Sequence, residues 1–260
     1  MEIQGEKTGL YLAGLPVRVD ACNIFITQPK IKDIVAHGED DFLVATNLLS
    51  HPENITKQLR EGNPLLDQYS DFQLLLVTLQ EKSEIQTLIL KLFELIFPDY
   101  SVKIEETSIN FNVPQNEREV TVGMINPFNF DDFSKMISVL FEPLAFSLNK
   151  DPEYNPANEA ASAIAEKLRK GREKSRQMKA KADGDDVPQS LYARYTSVLS
   201  IGMHMDINIF FNYTPFQLYD SFNRYFAKIP CDTYDKLCTT PLMDMSKTDP
   251  PDEWTRNLYK

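Results

Sequence analysis

The chain has 260 residues, of which 42% are hydrophobic and 25% are charged, and its formal net charge at pH 7 is −11. This composition is typical of a folded globular protein that is long enough to bury a core. The negative net charge predicts that nucleic acids and anionic membranes repel the protein as a whole. Three cysteines without C-x-x-C spacing, and apolar runs too short to cross a bilayer, predict a soluble protein of a reducing cytosol.

The N-terminal residues show a hairpin pattern followed by two helix patterns. Residues 9–27 alternate apolar and polar side chains in part, and Gly14-Leu15-Pro16 interrupts them, so we predict a short hairpin there. The next pattern, which includes Ile31, is helical and is expected to end at Gly38 with a glycine C-cap. A second helix should follow directly, because the acids at 39–41 suit a helix N-terminus.

The middle of the chain changes from a helical period to a strand period. Two capping boxes, Ser70-x-x-Gln73 and Ser83-x-x-Gln86, precede apolar runs. They predict two consecutive central helices that end near Phe97. A period of two then predicts a small antiparallel meander around residues 101–123. Asn129 is expected to cap the helix that follows, whose first turn is acidic.

A change in composition divides the chain near its middle. Residues 149–158 are rich in Asn, Pro and Asp, and we predict a domain boundary there. Residues 1–150 are then an α+β region that contains the hairpin and the meander, and residues 151–260 are a helical region. The predicted fold class is α+β and mostly helical.

The helical region is predicted to begin with a basic helix at 157–182, which an acidic break at 183–188 separates from a helix at about 189–202. The basic side chains are Lys167, Arg169, Lys170, Arg172, Lys174, Arg176, Lys179 and Lys181. Their charges are spread around the helix, and no aromatic side chain lies among them to stack on a base. We therefore interpret the segment as an exposed connecting helix, with a nucleic-acid site and a clamp for an acidic protein surface as the alternatives.

The C-terminal residues combine a strong helix start with an aromatic helix and a tail. Thr214-Pro215-Phe216-Gln217 has a capping residue, a proline at the first helical position and Gln at the third. Core packing is the preferred interpretation of the aromatic residues that follow, and a partner surface is the alternative. The tail is expected to pack on a groove of this chain, of a second copy or of a partner. The candidate partner-binding residues are Phe216, Tyr219, Phe222, Trp254, Leu258 and Tyr259.

No residue pattern indicates catalysis. The sequence contains neither a phosphate-binding G-x-x-x-x-G-K-[ST] or G-x-G-x-x-G motif nor a G-x-S-x-G nucleophile motif. His37, His51 and His204 lack metal-ligand spacing, and Cys231 and Cys238 are expected to pack on a helix. We therefore expect no catalytic residue, no metal and no cofactor, which is the pattern of a protein that is not an enzyme.

Several segments near both ends of the chain are distinctive. They are Ala13-Gly14-Leu15-Pro16-Val17, Ile24-Phe25-Ile26-Thr27-Gln28-Pro29, Ile31-Lys32-Asp33-Ile34, Gly38-Glu39-Asp40-Asp41-Phe42, Tyr154-Asn155-Pro156, the basic helix at 157–182, Tyr195-Thr196-Ser197-Val198-Leu199-Ser200-Ile201-Gly202, Tyr213-Thr214-Pro215-Phe216-Gln217-Leu218-Tyr219-Asp220 and Asp252-Glu253-Trp254-Thr255-Arg256-Asn257-Leu258. Together they resemble a family of tailed-bacteriophage proteins from the tail-morphogenesis region, encoded near the tape-measure protein. Residues 50–150 match this family only in pattern.

The resemblance implies a non-enzymatic tail-assembly protein of the host cell cytoplasm. Proteins of this kind look like tail assembly chaperones, which bind the tape measure or the tail-tube protein. A structural tail or baseplate component of the virion is the first alternative, and a nucleic-acid-binding accessory protein that uses the basic helix is the second. Self-association stays open, and neither nucleic acid nor a membrane is the expected partner.

Overall fold

A computed structural model describes residues 5–81, 83–115, 118–142, 190–240 and 250–255. Within these ranges the chain is a mixture of helices and two small antiparallel sheets, which confirms the predicted α+β class. One compact unit comprises Met1–Leu144 together with Tyr195–Lys260, and a second comprises Ala145–Arg194. The predicted boundary near residue 150 and the basic helix at 157–182 lie outside the described residues and stay predictions.

Ten α-helices occur in the described ranges, together with short 3₁₀ helices at Asp20–Cys22 and Pro64–Gln68. The α-helices are α1 Gly5–Ala13, α2 Ile31–His37, α3 Glu39–Ser50, α4 Glu53–Gly62, α5 Asp71–Glu81, α6 Ser83–Ile96, α7 Phe130–Phe141, α8 Leu191–Met203, α9 Ile207–Phe211 and α10 Pro215–Cys238. The predicted glycine C-cap is confirmed, since Gly38 has a φ of 111° and its N–H donates to the Ile34 carbonyl. Ser70 and Gln73 form both bonds of the predicted capping box, at 3.2 and 2.8 Å.

The strands form a two-stranded hairpin and a three-stranded meander. The hairpin pairs β1 Val17–Val19 with β2 Ile24–Ile26, and the meander has the order β3 Ser101–Ile104, β4 Ile109–Gln115, β5 Arg118–Ile125. The meander was predicted correctly. The hairpin was predicted too long, because residues 9–13 belong to α1 and Gly14, with a φ of 66°, follows that helix. A few alternating residues do not distinguish a short helix from a strand.

The core lies where α5, α6 and α7 meet the inner face of the meander. Phe97 directly follows α6. Phe97, Phe111 and Phe133 are each 1% exposed or less. The Phe97 ring centroid is 4.6 Å from that of Phe111 and 6.3 Å from that of Phe133. These contacts join the end of α6 to β4 and α7, and aromatic pairs of this kind add stability beyond the area they bury.

The two sheets meet where the turn of the hairpin touches β5. A Cβ atom at Gly123 would lie only 2.6 Å from the Cys22 carbonyl oxygen and 2.7 Å from that of Asn23, so this approach requires glycine. The Asn23 side chain also donates from Nδ2 to the Val122 carbonyl at 2.7 Å. The position of the hairpin on the meander therefore depends on one residue without a side chain.

Asn129 directly precedes α7, but the prediction that its side chain caps this helix is wrong, because the side chain makes no capping hydrogen bond. Its Nδ2 donates to the carbonyls of Ala21 and Met124, each at 3.0 Å, while its Oδ1 accepts from the Asn126 N–H at 2.8 Å. The buried amide thus connects the hairpin turn, the end of β5 and the start of α7. Buried backbone groups from distant segments compete for the same side chain and take it from the helix N-terminus.

Gly123→Ala should lower the free energy of unfolding by about 1–3 kcal/mol, because the added methyl group meets backbone oxygens that must move apart. Gly9→Ala is the matched control, since a Cβ atom at this position in α1 meets nothing within 4 Å. This control should be neutral or stabilising by up to about 1 kcal/mol. Urea unfolding followed by circular dichroism measures both changes, and equal stability of Gly123→Ala and the wild type would contradict the close contact.

Candidate functional site

Helix α10 begins at a capping box that is attached to the N-terminal part of the chain. The Thr214 hydroxyl accepts from the Gln217 N–H at 3.3 Å, and Gln217 Oε1 accepts from the Thr214 N–H at 2.8 Å, as predicted. Gln217 Nε2 also donates to the Leu12 carbonyl at 2.7 Å. The Ile31 N–H donates to the Tyr213 carbonyl at 2.8 Å. These long-range bonds fix where α10 starts and in which direction it runs.

The first turns of α10 belong to the core. Phe216 and Tyr219 are only 1% and 2% exposed, and the Phe216 ring lies edge-on to Tyr11 with centroids 5.3 Å apart. This burial leaves almost no ring surface of these two candidate residues for a partner and agrees with the core-packing interpretation. Phe222, one helical turn further on, is half-buried against the Tyr195 ring of α8 at 4.3 Å.

The end of α8 makes a close contact with α10. A Cβ atom at Gly202 would lie 2.3 Å from Cζ and Oη of Tyr225, so the tyrosine ring occupies the space of a side chain at this position. Gly202 belongs to one of the segments that carry the family resemblance, and this contact gives it a role in packing.

Next to this contact lies a cavity of about 610 Å³, which we call the C-terminal groove. It is lined by Gly202 and Met203 of α8, by Asp220, Ser221, Arg224, Tyr225, Lys228, Ile229 and Asp232 of α10, and by Trp254 of the tail. Three large apolar side chains on its border are partly exposed: Met203 at 44%, Ile229 at 41% and Trp254 at 37%. The groove thus combines apolar edges with charged groups.

Two ion pairs with i,i+4 spacing follow α10 along the groove. Asp220 is buried, and both of its carboxylate oxygens accept from Arg224 Nε, at 3.2 and 3.1 Å. The Lys228–Asp232 pair, at 2.6 Å, is more exposed. The first pair holds the Arg224 guanidinium in one orientation, because its carboxylate is enclosed by the protein.

Tail residues 250–255 contact α10 through their backbone. Arg224 Nη1 donates to the Trp254 carbonyl at 3.4 Å, and Cys231 Sγ donates to the Asp252 carbonyl at 3.3 Å. The structure therefore places the predicted tail contact on this chain itself. Leu258, Tyr259 and all eight side chains of the predicted basic patch lie outside the described residues, so their assignments stay predictions.

The chain matches no family model, no curated protein and no solved structure. Across the described ranges, no group of three or more His, Cys, Asp or Glu side chains is arranged to hold a metal ion. No helix in these ranges has the length and apolar character needed to cross a membrane.

A second polar cluster surrounds His51, between α3 and α4. His51 Nδ1 lies 3.1 Å from a Glu53 carboxylate oxygen, and Nε2 lies 3.1 Å from a Glu142 carboxylate oxygen. The Ser138 hydroxyl donates to Glu142 at 2.6 Å, so this serine contacts the carboxylate and is not paired with the imidazole as a nucleophile would be. The sequence did not indicate this cluster, because Glu142 is 91 residues from His51.

Partial burial lowers the pKa of His51, but the Glu142 and Glu53 carboxylates outweigh this effect and raise the pKa above its ordinary value of 6.5. The stability that comes from this shift is fully present below pH 6.5 and is lost as the pH rises through the raised pKa of the folded state. The cluster therefore favours the folded state most at mildly acidic pH.

We expect His51→Gln to reduce the free energy of unfolding at pH 6 by up to about 1 kcal/mol, the upper range for partly exposed ion pairs. The difference from the wild type should shrink toward pH 8.5, where the imidazole loses its proton in both states. Glu142→Gln should remove much of the same pH dependence. Chemical unfolding at the two pH values is the measurement, and a constant difference between them would contradict the assigned ion pairs.

The three thiols should differ in reactivity. Burial and, to a smaller extent, the Asp132 carboxylate raise the pKa of the Cys22 thiol to about 12, while Cys238 is exposed and Cys231 is half-buried beneath the tail. Because the thiolate is the reactive form, iodoacetamide at pH 8 should modify Cys238 first, Cys231 more slowly and Cys22 only after unfolding. Peptide mass spectrometry after timed alkylation gives the order, and rapid labelling of Cys22 in the native protein would contradict its burial.

Proposed function

We propose that this chain is a non-enzymatic tail-assembly protein of a tailed bacteriophage that acts by binding another tail protein, the tape measure or the tail-tube protein. The observation that supports this proposal is the C-terminal groove, a concave surface with exposed apolar edges that α8, α10 and the tail line. The role that fits best is that of a tail assembly chaperone in the host cell cytoplasm.

The composition of the groove supports the proposal that it binds a protein. Met203, Ile229 and Trp254 border one cavity, whereas the exposed apolar side chains of an ordinary surface are scattered. Val198 and Ile201 on α8 are also exposed, at 38% and 73%, and their i,i+3 spacing places them on one side of that helix. Protein interfaces commonly combine apolar side chains with charged and polar groups, and the groove has both.

The family resemblance supplies the identity of the partner, and three of the segments that carry it contribute to the groove. The segments 195–202, 213–220 and 252–258 contain Gly202, Asp220 and Trp254, which all line the cavity. The residues that suggest a tail-assembly protein are therefore in part the residues that build this surface.

The partner should be retained by the wild type and lost when the groove becomes charged. Met203→Asp combined with Ile229→Asp should weaken retention of co-expressed tape-measure or tail-tube protein about tenfold or more, because charges would replace two exposed apolar side chains of the groove that a partner would cover. Leu65→Asp is the matched control, since Leu65 is 75% exposed and does not line the groove. Circular dichroism checks that each variant is folded.

The pull-down has a clear contrary result. If the wild type retains neither tail protein, or if Leu65→Asp weakens retention as much as the groove variant does, the proposed role of the groove is wrong.

Mass spectrometry of purified virions distinguishes the two tail functions. A chaperone should be absent from the particles, whereas abundant peptides of this chain would favour a structural tail or baseplate component.

A further inference from the structure

We propose that the outer edge of β3 is a further protein-binding site, which accepts a short, extended and basic segment of a partner as a fourth strand of the meander. β3 pairs with β4 on one side only, because the strand order of this sheet is β3-β4-β5. Addition of a strand to an open sheet edge is a common mode of peptide recognition, in which main-chain hydrogen bonds supply the affinity. The site contains no residue of the C-terminal groove, so the proposal does not depend on the groove.

The register of the meander determines which backbone groups of β3 face outward. The Glu105 N–H donates to the Ser108 carbonyl at 2.8 Å, so these residues form a hydrogen-bonded pair where the two strands meet. Such pairs alternate with non-bonded pairs along an antiparallel ladder. The N–H and carbonyl groups of Val102 and Ile104 therefore point away from β4. Within the part of the chain that the structure describes, no hydrogen bond satisfies these groups.

The opposite edge of the sheet, on β5, is covered by side chains. Asn23 Nδ2 donates to the Val122 carbonyl at 2.7 Å, and Asn129 Nδ2 donates to the Met124 carbonyl at 3.0 Å. Both carbonyls point away from β4, as the outward groups of β3 do. Among the described residues, only the β3 edge thus keeps its outward backbone groups for another strand.

The lysine of β3 does not protect this edge. An outward-pointing lysine often prevents an edge strand from pairing with another chain. The Lys103 ammonium instead forms an ion pair with the Glu119 carboxylate. Because Glu119 belongs to β5, the lysine side chain crosses β4 on the face of the sheet that is opposite the core. Its charge is held over the sheet and away from the open edge.

The side chains along the edge specify the chemistry of the added strand. Val102 and Ile104 are half-buried on the core side of β3, so apolar side chains of a neighbouring strand would complete their burial. β3 lies between Asp99 and the acidic pair Glu105 and Glu106, which are all exposed. None of these three carboxylates forms an ion pair in the described ranges. The partner segment should therefore alternate apolar residues and carry Lys or Arg at both ends.

The same acids argue against a second copy of this chain as the occupant. Two β3 strands related by a twofold axis would bring Asp99 of one copy near Glu105 and Glu106 of the other. Like charges that face each other across strands are destabilising, and two chains of net charge −11 repel each other.

The test uses the full-length chain and a synthetic peptide in which valine alternates with threonine between two lysines at each end. One control peptide has glutamates in place of the lysines, and another is N-methylated at every central residue, which removes the donors that a strand needs. Fluorescence anisotropy of a dye-labelled peptide measures binding. The basic peptide should bind saturably below about 1 mM, and each control peptide about tenfold or more weakly.

Two variants separate the backbone from the charges. Val102→Pro removes an outward N–H and keeps the bonds to β4, because proline is tolerated where the N–H of an edge strand faces away from the sheet. Glu105→Gln combined with Glu106→Gln removes charge and keeps every backbone group. Each variant should weaken binding of the basic peptide by about threefold to tenfold at low salt. Glu61→Gln combined with Asp67→Asn is the matched control, since these exposed acids lie on α4 and the 3₁₀ helix after it. Circular dichroism checks the folding of each variant.

Amide hydrogen exchange, followed by NMR, distinguishes strand addition from a general attraction of lysines. In the free chain the amides of Val102 and Ile104 should exchange faster than those of their neighbours in β3, and the basic peptide should slow them. Binding without this protection, or no saturable binding up to about 1 mM peptide, would overturn the proposal. Protection that appears without peptide and increases with protein concentration would assign the edge to a second copy and would also overturn it. No tail protein is present, so failure here is distinct from failure of the pull-down.

Discussion

The position of α10 depends on a buried glutamine near the other end of the chain. Gln28 is 5% exposed, its Nε2 donates to the Leu15 carbonyl at 2.7 Å, and its Oε1 accepts from the Thr214 hydroxyl at 3.4 Å. Together with the bond from Gln217 to Leu12, these contacts attach the start of α10 to the end of α1 and to the hairpin. Loss of the Gln28 or the Thr214 side chain would leave a buried polar partner without this hydrogen bond, which is costly. The direction of α10, and with it the groove, follows from this attachment.

Helix α10 combines two functions along its length. Phe216 and Tyr219 in its first turns are core residues, whereas Tyr225, Lys228 and Ile229 further along line the groove. A helix whose beginning is fixed in the core holds the side chains of its later turns in defined positions. Binding surfaces on helices lose less conformational freedom when they bind than surfaces on loops do.

The sequence allowed prediction of the elements whose signals are local. The capping boxes at Ser70 and Thr214 and the C-cap at Gly38 were predictable, because each interaction lies within four residues. The role of Asn129, the His51–Glu142 pair and the contact of Gly202 with Tyr225 were not, because their partners are distant in sequence. For the tail, the tryptophan that follows two prolines and two acids predicted packing on a groove, but only the fold shows that the groove is formed with α8 and α10.

Hydrogen–deuterium exchange of the chain alone and in complex with a retained tail protein tests the central claim that the C-terminal groove is the binding surface. The expected result is increased protection at the end of α8, along α10 at 220–232 and in the tail at 250–255. The helices α3 to α7 should change little, because they form the core on which the surface depends. Protection confined to residues 5–142, with exchange along α10 and in the tail unchanged, would contradict this account.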